Sequence, residues 1–237
     1  MSDWNCKLGY VVPSWNTVVE YETTRMLPPG VSAHFARIAH TEDSPASMQY
    51  MTDQFPTQVE LLSHAGVAAV CYACTGASLA RGYTVDQEDI ARLKRRGGPA
   101  IVSTAGALVD AARHLGLSRV AVAAPYEPWL LAHLVDYLKA AGLIVLNAVG
   151  LGEQANVKHG PDAALALAKH AWVPDADGLV LSCGNFRSLE AIPEIERHIG
   201  KPLLTSNGCA LWGALTVSGW RGAVPNGGYL LQQLASR

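Results

Sequence analysis

Apolar residues along this 237-residue chain fall into short, nearly continuous runs separated by segments with helical spacing. The runs at 7–12, 32–40, 65–74, 99–104, 119–124, 143–149, 178–183 and 202–206 are rich in Val, Leu, Ile and Ala. That pattern predicts strands buried on both faces, as in parallel sheets. Between them, apolar positions recur every three or four residues. Helices are therefore predicted from Val18 to just before Pro28, then over 45–66, 86–96, 106–115, 128–141, 161–171, 189–199 and 209–217, with a short last segment at 229–234. Ser44-Pro45 is a helix start, Gly66 and Gly97-Gly98 are helix stops, and Pro56 is a kink point inside the second helix. Strict alternation of the two element types predicts an α/β fold with doubly wound parallel sheets.

The pattern also repeats. Pro13 at the first strand end has a mate in Pro125, Cys74 has one in Cys183, and residues 101–108 resemble residues 203–210. Three pairs in the same order imply two similar lobes, residues 1–103 with 208–237 and residues 104–207. Ligands of open α/β sheets bind beyond the carboxyl ends of the strands. Cys74 and Cys183 both stand at such ends, so they are expected to face one cleft. Each precedes small and polar residues that read as a helix start. A helix N-terminus lowers a thiol pKa, which makes both cysteines candidate nucleophiles. Either one alone reads equally well as a buried structural thiol.

Composition narrows the classes. Hydrophobic residues make up 49% and charged residues 16%, so a sizeable core is available and disorder is excluded. The net charge of −2 comes with no basic stripe, so no nucleic-acid partner is expected. No apolar run reaches a membrane span, and residues 1–5 do not resemble a secretory leader. The expected setting is the cytoplasm, where thiols stay reduced. Five cysteines, an odd number, do not form a disulfide framework. Cys71 and Cys74 spell C-x-x-C, but Cys71 lies inside a predicted strand and no second pair completes a zinc site. Cys6 and Cys209 read as structural. No histidine shows metal-ligand spacing. An apolar stripe through Leu130, Leu131, Leu134, Tyr137 and Leu138 is a candidate surface for a homo-oligomer.

Neutral hydrogen-bonding groups cluster at the predicted strand ends. Asn16 and Tyr126 can both bind a carboxylate. Ser14, Thr75, Ser78, Gly184, Asn185, Ser206 and Asn207 are similarly placed, though each alone also reads as a turn or cap residue. Such a pocket suits a small anion better than a phosphate needing an arginine clamp. Arg187 is the one cation near a strand end, and a surface role is equally open to it. Asn156, after Gly150-Leu151-Gly152, is ambiguous from chemistry alone.

At these residues the chain resembles the aspartate/glutamate racemase superfamily, in the branch of maleate cis-trans isomerases and arylmalonate decarboxylases. Val12-Pro13-Ser14-Trp15-Asn16-Thr17-Val18-Val19-Glu20 resembles the isomerase N-terminal motif. Tyr72-Ala73-Cys74-Thr75 and Leu181-Ser182-Cys183-Gly184-Asn185 resemble its two cysteine motifs, and Ala124-Pro125-Tyr126 its carboxylate-binding tyrosine segment. Residues 181–215 are also similar to the decarboxylase, which has a glycine where this chain has Cys74. The resemblance implies two flavodoxin-like lobes with the active site between them, no cofactor or metal, and a small dicarboxylate substrate. It implies Cys74 as nucleophile, Cys183 as acid/base, and Asn16, Tyr126 and Asn156 on the carboxylates. The expected reaction is isomerisation of maleate to fumarate through thiolate addition to the double bond. A two-cysteine amino-acid or hydantoin racemase, an arylmalonate-type decarboxylase and a non-catalytic anion-binding module remain the alternatives.

Overall fold

A computed structural model describes residues 5–154, 159–222, 224 and 227–236. The first apolar run forms β1 (Cys6–Pro13), buried along almost its whole length. It is followed by α1 (Val18–Met26), β2 (Val31–Ile38), α2 (Pro45–Ser63) and β3 (Ala69–Tyr72). The chain continues through α3 (Thr75–Arg81), α4 (Tyr83–Lys94), β4 (Ala100–Ser103) and α5 (Thr104–His114). The second set is β5 (Arg119–Tyr126), α6 (Pro128–Ala140), β6 (Ile144–Glu153), α7 (Pro161–Ala171) and β7 (Gly178–Leu181). A 3-10 turn (Leu189–Ala191), α8 (Ile192–Ile199), β8 (Leu203–Thr205), α9 (Ser206–Val217) and α10 (Gly228–Gln232) complete it, with a 3-10 turn at the end.

The strands make two four-stranded sheets, ordered β2-β1-β3-β4 and β6-β5-β7-β8. Every pairing is parallel. The two orders are the same order written twice, so the repeat read from the sequence is a repeat of topology. In each sheet the two central strands carry the candidate residues at their carboxyl ends, β1 and β3 in the first and β5 and β7 in the second. The centre strands are shielded on both faces by helices, which is why Val70, Cys71, Val122, Ala123 and Val180 are fully buried. Two helices tie the sheets together: α9 packs on β3 and β4 of the first sheet, and α5 touches both β4 and β8.

Several boundaries differ from the sequence reading, each for a local reason. α5 and α9 begin two and three residues earlier than expected. The Ser103 hydroxyl accepts from the Gly106 N–H at 3.1 Å, and the Thr205 hydroxyl accepts from Gly208 at 3.1 Å. The helix start expected after Cys74 is α3, and the helix expected over 86–96 begins three residues earlier as α4, directly after Gly82, whose φ of 76° separates the two. Residues 189–199 split into the 3-10 turn and α8, whose first turn holds Pro193. Pro56 lies inside α2 without dividing it. The expected oligomer stripe is a correction: Leu130, Leu134, Tyr137 and Leu138 are all buried within the chain, where α6 packs on β5, β6, α3 and α4. It is not available to a partner. Among the described residues no helix is long and apolar enough to cross a membrane.

Candidate active site

The carboxyl ends of β1, β3, β5 and β7 meet at one cavity between the sheets. It is lined by Asn16, Cys74, Thr75, Tyr126, Cys183, Gly184 and Asn185, together with Pro13, Trp15, His40, Asp43, Ala73, Gly76 and Leu130. Both strand-end cysteines therefore open onto the same space.

Cys74 is the N-cap residue of α3 and is 6% exposed. The Ala77 N–H of the first helical turn points at its sulfur, which favours the thiolate. Burial acts in the opposite direction and wins, pushing the thiol up to about 12, with the nearby Asp43 carboxylate adding to the rise. The lowered thiol pKa expected from the helix start is thus overturned. One backbone donor does not offset the loss of water around a buried sulfur.

Cys183 has a different setting from the one the repeat suggested. No helix follows it directly. Its backbone sits at φ 119°, the only non-glycine residue at positive φ among those described. Such a conformation costs about 1–3 kcal/mol and persists only where the surroundings impose it. Here the Cys183 N–H donates to the Ser206 hydroxyl at 2.9 Å, and the Asn185 N–H donates to the Cys183 sulfur at 3.4 Å. The Tyr126 hydroxyl also bonds the sulfur and lies 3.3 Å from Ser182 Oγ. Burial nevertheless raises the Cys183 thiol pKa strongly, with Asp43 and Cys74 adding to it. Gly184 sits at a close approach: a Cβ there would lie 3.2 Å from Val19 and 3.3 Å from Asn207 Oδ1, so both side chains would have to give by a few tenths of an ångström to admit one.

The neutral donors are held from behind. Asn16 Oδ1 accepts from the Val18 and Val19 N–H groups at 3.0 and 2.9 Å, capping α1. That double bond fixes the amide orientation, so Nδ2 is the end turned to the cavity. Asn185 Oδ1 accepts from the Thr17 N–H at 3.2 Å. Thr75 Oγ1 donates to Ser206 Oγ at 3.3 Å, so Ser206 links the two cysteine loops.

Other candidates lie elsewhere. Ser14 is exposed and exchanges hydrogen bonds with the backbone of His40, bracing the β2–α2 connection without lining the cavity. Asn207 donates to Glu22 at 2.6 Å and to the Gly184 carbonyl at 3.2 Å. Arg187 pairs with Glu190 at 2.7 Å on the surface. Ser78 lines a separate cavity behind α3. Cys71 is buried beside Thr104, and Cys6 and Cys209 are buried too; all five cysteines are free thiols. Asn156 lies outside the described residues. Trp15 lies in the quoted N-terminal motif but has no role assigned there, and His40 and Asp43, which sequence reasoning missed, reach the cavity from the β2–α2 connection, which has no motif of its own. Among the described residues no group of three or more His, Cys, Asp or Glu is arranged to hold a metal ion.

Fold and site together define a bilobal α/β protein with two thiols at the interface, and the chain belongs to the arylmalonate decarboxylase family, whose model matches residues 8–231. Its relatives point to a particular branch. It is 31% identical to a maleate isomerase of Nocardia farcinica over 96% of each chain. The structure of a maleate isomerase from Pseudomonas putida S16 with maleate superposes with a TM-score of 0.90 at 27% identity, covering 96% of this chain and 97% of that one. A Nocardia farcinica maleate cis-trans isomerase variant with a covalently bound succinylcysteine intermediate superposes at 0.85, with 28% identity over 96% and 98% of the chains.

Proposed function

We propose that this chain is a cofactor-independent cis-trans isomerase that converts maleate to fumarate. The observation that carries the reading is the pair of strand-end thiols opening onto one cavity walled by neutral donors. Rotation about a C=C bond requires that bond to become single for a moment, and addition of a thiolate achieves this. The reactive form carries one proton on the thiol pair, the other having gone to solvent. Cys74, beside the α3 N-terminus, is the thiolate, and Cys183 is the acid. As the Cys74 S–C bond forms, the π electrons move toward the far carboxylate and the Cys183 proton passes to the adjacent carbon. The product of this step is a succinyl thioether. Rotation follows, Cys183 takes the proton back, the double bond re-forms and Cys74 leaves.

Charge that develops on the far carboxylate needs fixed donors in a dry site. Asn16 Nδ2, the Tyr126 hydroxyl, Thr75, the backbone at Gly184 and Asn185 are the groups we assign to it, with Asn156 assigned by resemblance. The test is incubation with maleate in deuterated water, followed by proton NMR. Conversion of the cis olefinic signal to the trans one is expected. In Cys183→Ser, intact-protein mass spectrometry should show an adduct of substrate mass on Cys74; in Cys74→Ser it should show none. Release of carbon dioxide from an arylmalonate with no action on maleate would replace this reading with the decarboxylase one.

A further inference from the structure

Another cavity lies behind α3, apart from the thiols. Its volume is about 360 Å3, within the roughly 300–1,000 Å3 of small-molecule pockets. Residues of α2, β3, α3 and α4 line it. Helix α3 borders both cavities: Thr75 and Gly76 face the thiols, while Ala77, Ser78 and Arg81 face this one.

The interior is apolar and aromatic. Phe55 and Ile90 are buried, and the Phe55 ring stacks on Tyr72 with 4.4 Å between ring centres. Ala77 and Leu93 add to the same surface. The polar groups of Tyr72 and Asp86 already have partners. The Tyr72 hydroxyl lies 3.3 Å from Thr52 Oγ1, and Asp86 accepts from the Ser103 and Tyr137 hydroxyls at 2.6 Å each. The Ser78 hydroxyl stands near the same carboxyl without a well-formed hydrogen bond. This end suits a hydrocarbon or aryl body, because a charged group buried here would lose its water.

The outer end is cationic. Arg81, Arg92 and Arg96 line it, and the last two are exposed. Asp89 pairs with Arg81 at 2.7 Å and also with Arg92, whereas Arg96 has no acidic partner among the described residues. Three guanidiniums thus meet two carboxyls, Asp86 and Asp89, so the cavity is net positive whichever of the two is ionised. A planar guanidinium takes a carboxylate through two parallel N–H bonds.

We propose that this cavity is a second ligand site, for a small arylalkyl monocarboxylate. The body lies against Phe55, Tyr72, Ile90 and Leu93, and the carboxylate faces Arg92 and Arg96. A dicarboxylate would carry its second charge toward the buried Asp86, so the substrate of the thiol cavity is not the ligand here. Binding makes and breaks no covalent bond.

The test is isothermal titration of the full-length protein with hydrocinnamate. A Kd of about 1 mM or tighter is expected. Its neutral amide, the amine of equal length and inorganic phosphate should each bind at least tenfold more weakly. Arg96→Glu, at an exposed position, should weaken hydrocinnamate at least tenfold, and Leu93→Trp, which fills the interior, should do the same. Thermal melts establish that each variant is folded; should Leu93→Trp not fold, Arg96→Glu decides alone. A wild-type Kd weaker than about 1 mM overturns the inference. So does any control ligand within tenfold of hydrocinnamate, which would leave the charge or the apolar body without a role. A shift under tenfold in Arg96→Glu overturns it as well, since the ligand would then sit elsewhere, the thiol cavity included.

Discussion

Cys183 is the residue where local backbone preference and function conflict. A Cβ at φ 119° is strained, and a glycine there would not be. Glycine normally destabilises a site relative to alanine, because the unfolded chain gains freedom. At position 183 the order should invert, with Cys183→Gly more stable than Cys183→Ala by about 1 kcal/mol. Denaturant midpoints of the two variants measure this, and the usual order would show that the backbone carries no strain. The thiols themselves make a second prediction. Burial holds Cys74 at about 12 and Cys183 higher still, so the nucleophile is mostly protonated at neutral pH while the acid keeps its proton. kcat/KM should therefore climb about tenfold per pH unit between about pH 6 and 9, with no falling limb in that window. A plateau at or below about pH 8 in the rate profile would show that another group lowers the Cys74 pKa.

At the scale of elements, helix starts perform two tasks here. Asn16 uses its oxygen to cap α1 and presents its amide nitrogen to the cavity. The two tasks separate by substitution. Asn16→Ala loses both, with a capping cost of about 1 kcal/mol. Asn16→Asp keeps an oxygen for the Val18 and Val19 N–H groups but places a carboxylate where a donor stood. It should retain more stability than the alanine variant and still lose roughly a hundredfold or more in kcat/KM. Thermal melts alongside kinetics distinguish these outcomes. Equal stability of the two variants would mean that the cap contributes little.

At the scale of the whole molecule, the cavity exists only while the two halves stay registered. Glu22 on α1 reaches across to accept from the Ser188 and Leu189 N–H groups at 2.5 and 2.8 Å, and from Asn207 Nδ2 at 2.6 Å. Burial raises its carboxyl pKa, and these donors offset part of the rise. Glu22→Ala would leave several buried donors without an acceptor, a cost of roughly 3–5 kcal/mol. Glu22→Gln can still serve the backbone donors but turns an NH2 toward Asn207, and should cost about half as much. Urea unfolding checks both, and a loss below about 1 kcal/mol for the alanine variant would show that Glu22 does not clamp the halves. We further propose that the lobes divide as residues 1–103 with 208–237 and residues 104–207, on the strength of α9 lying against β3 and β4.

The sequence by itself determined the two sheets and the position of each cysteine at a strand end. Both follow from local information: apolar runs too short for a helix and bounded by turn residues read as strands buried on both faces, and the polar residues after them mark where each strand leaves the core. It also placed Asn16, Thr75, Tyr126, Gly184 and Asn185, because the repeat brings equivalent strand ends together. The tertiary structure alone decided what each group experiences there. Desolvation, a property of everything packed around a sulfur, outweighed the helix N-terminus that the sequence could show. The left-handed backbone of Cys183 depends on Ser206 and Tyr126, which are distant in sequence. Ser14 turned outward because its hydroxyl found the His40 backbone. His40 and Asp43 entered the cavity from a connecting segment, and a connection has no period from which its direction can be read.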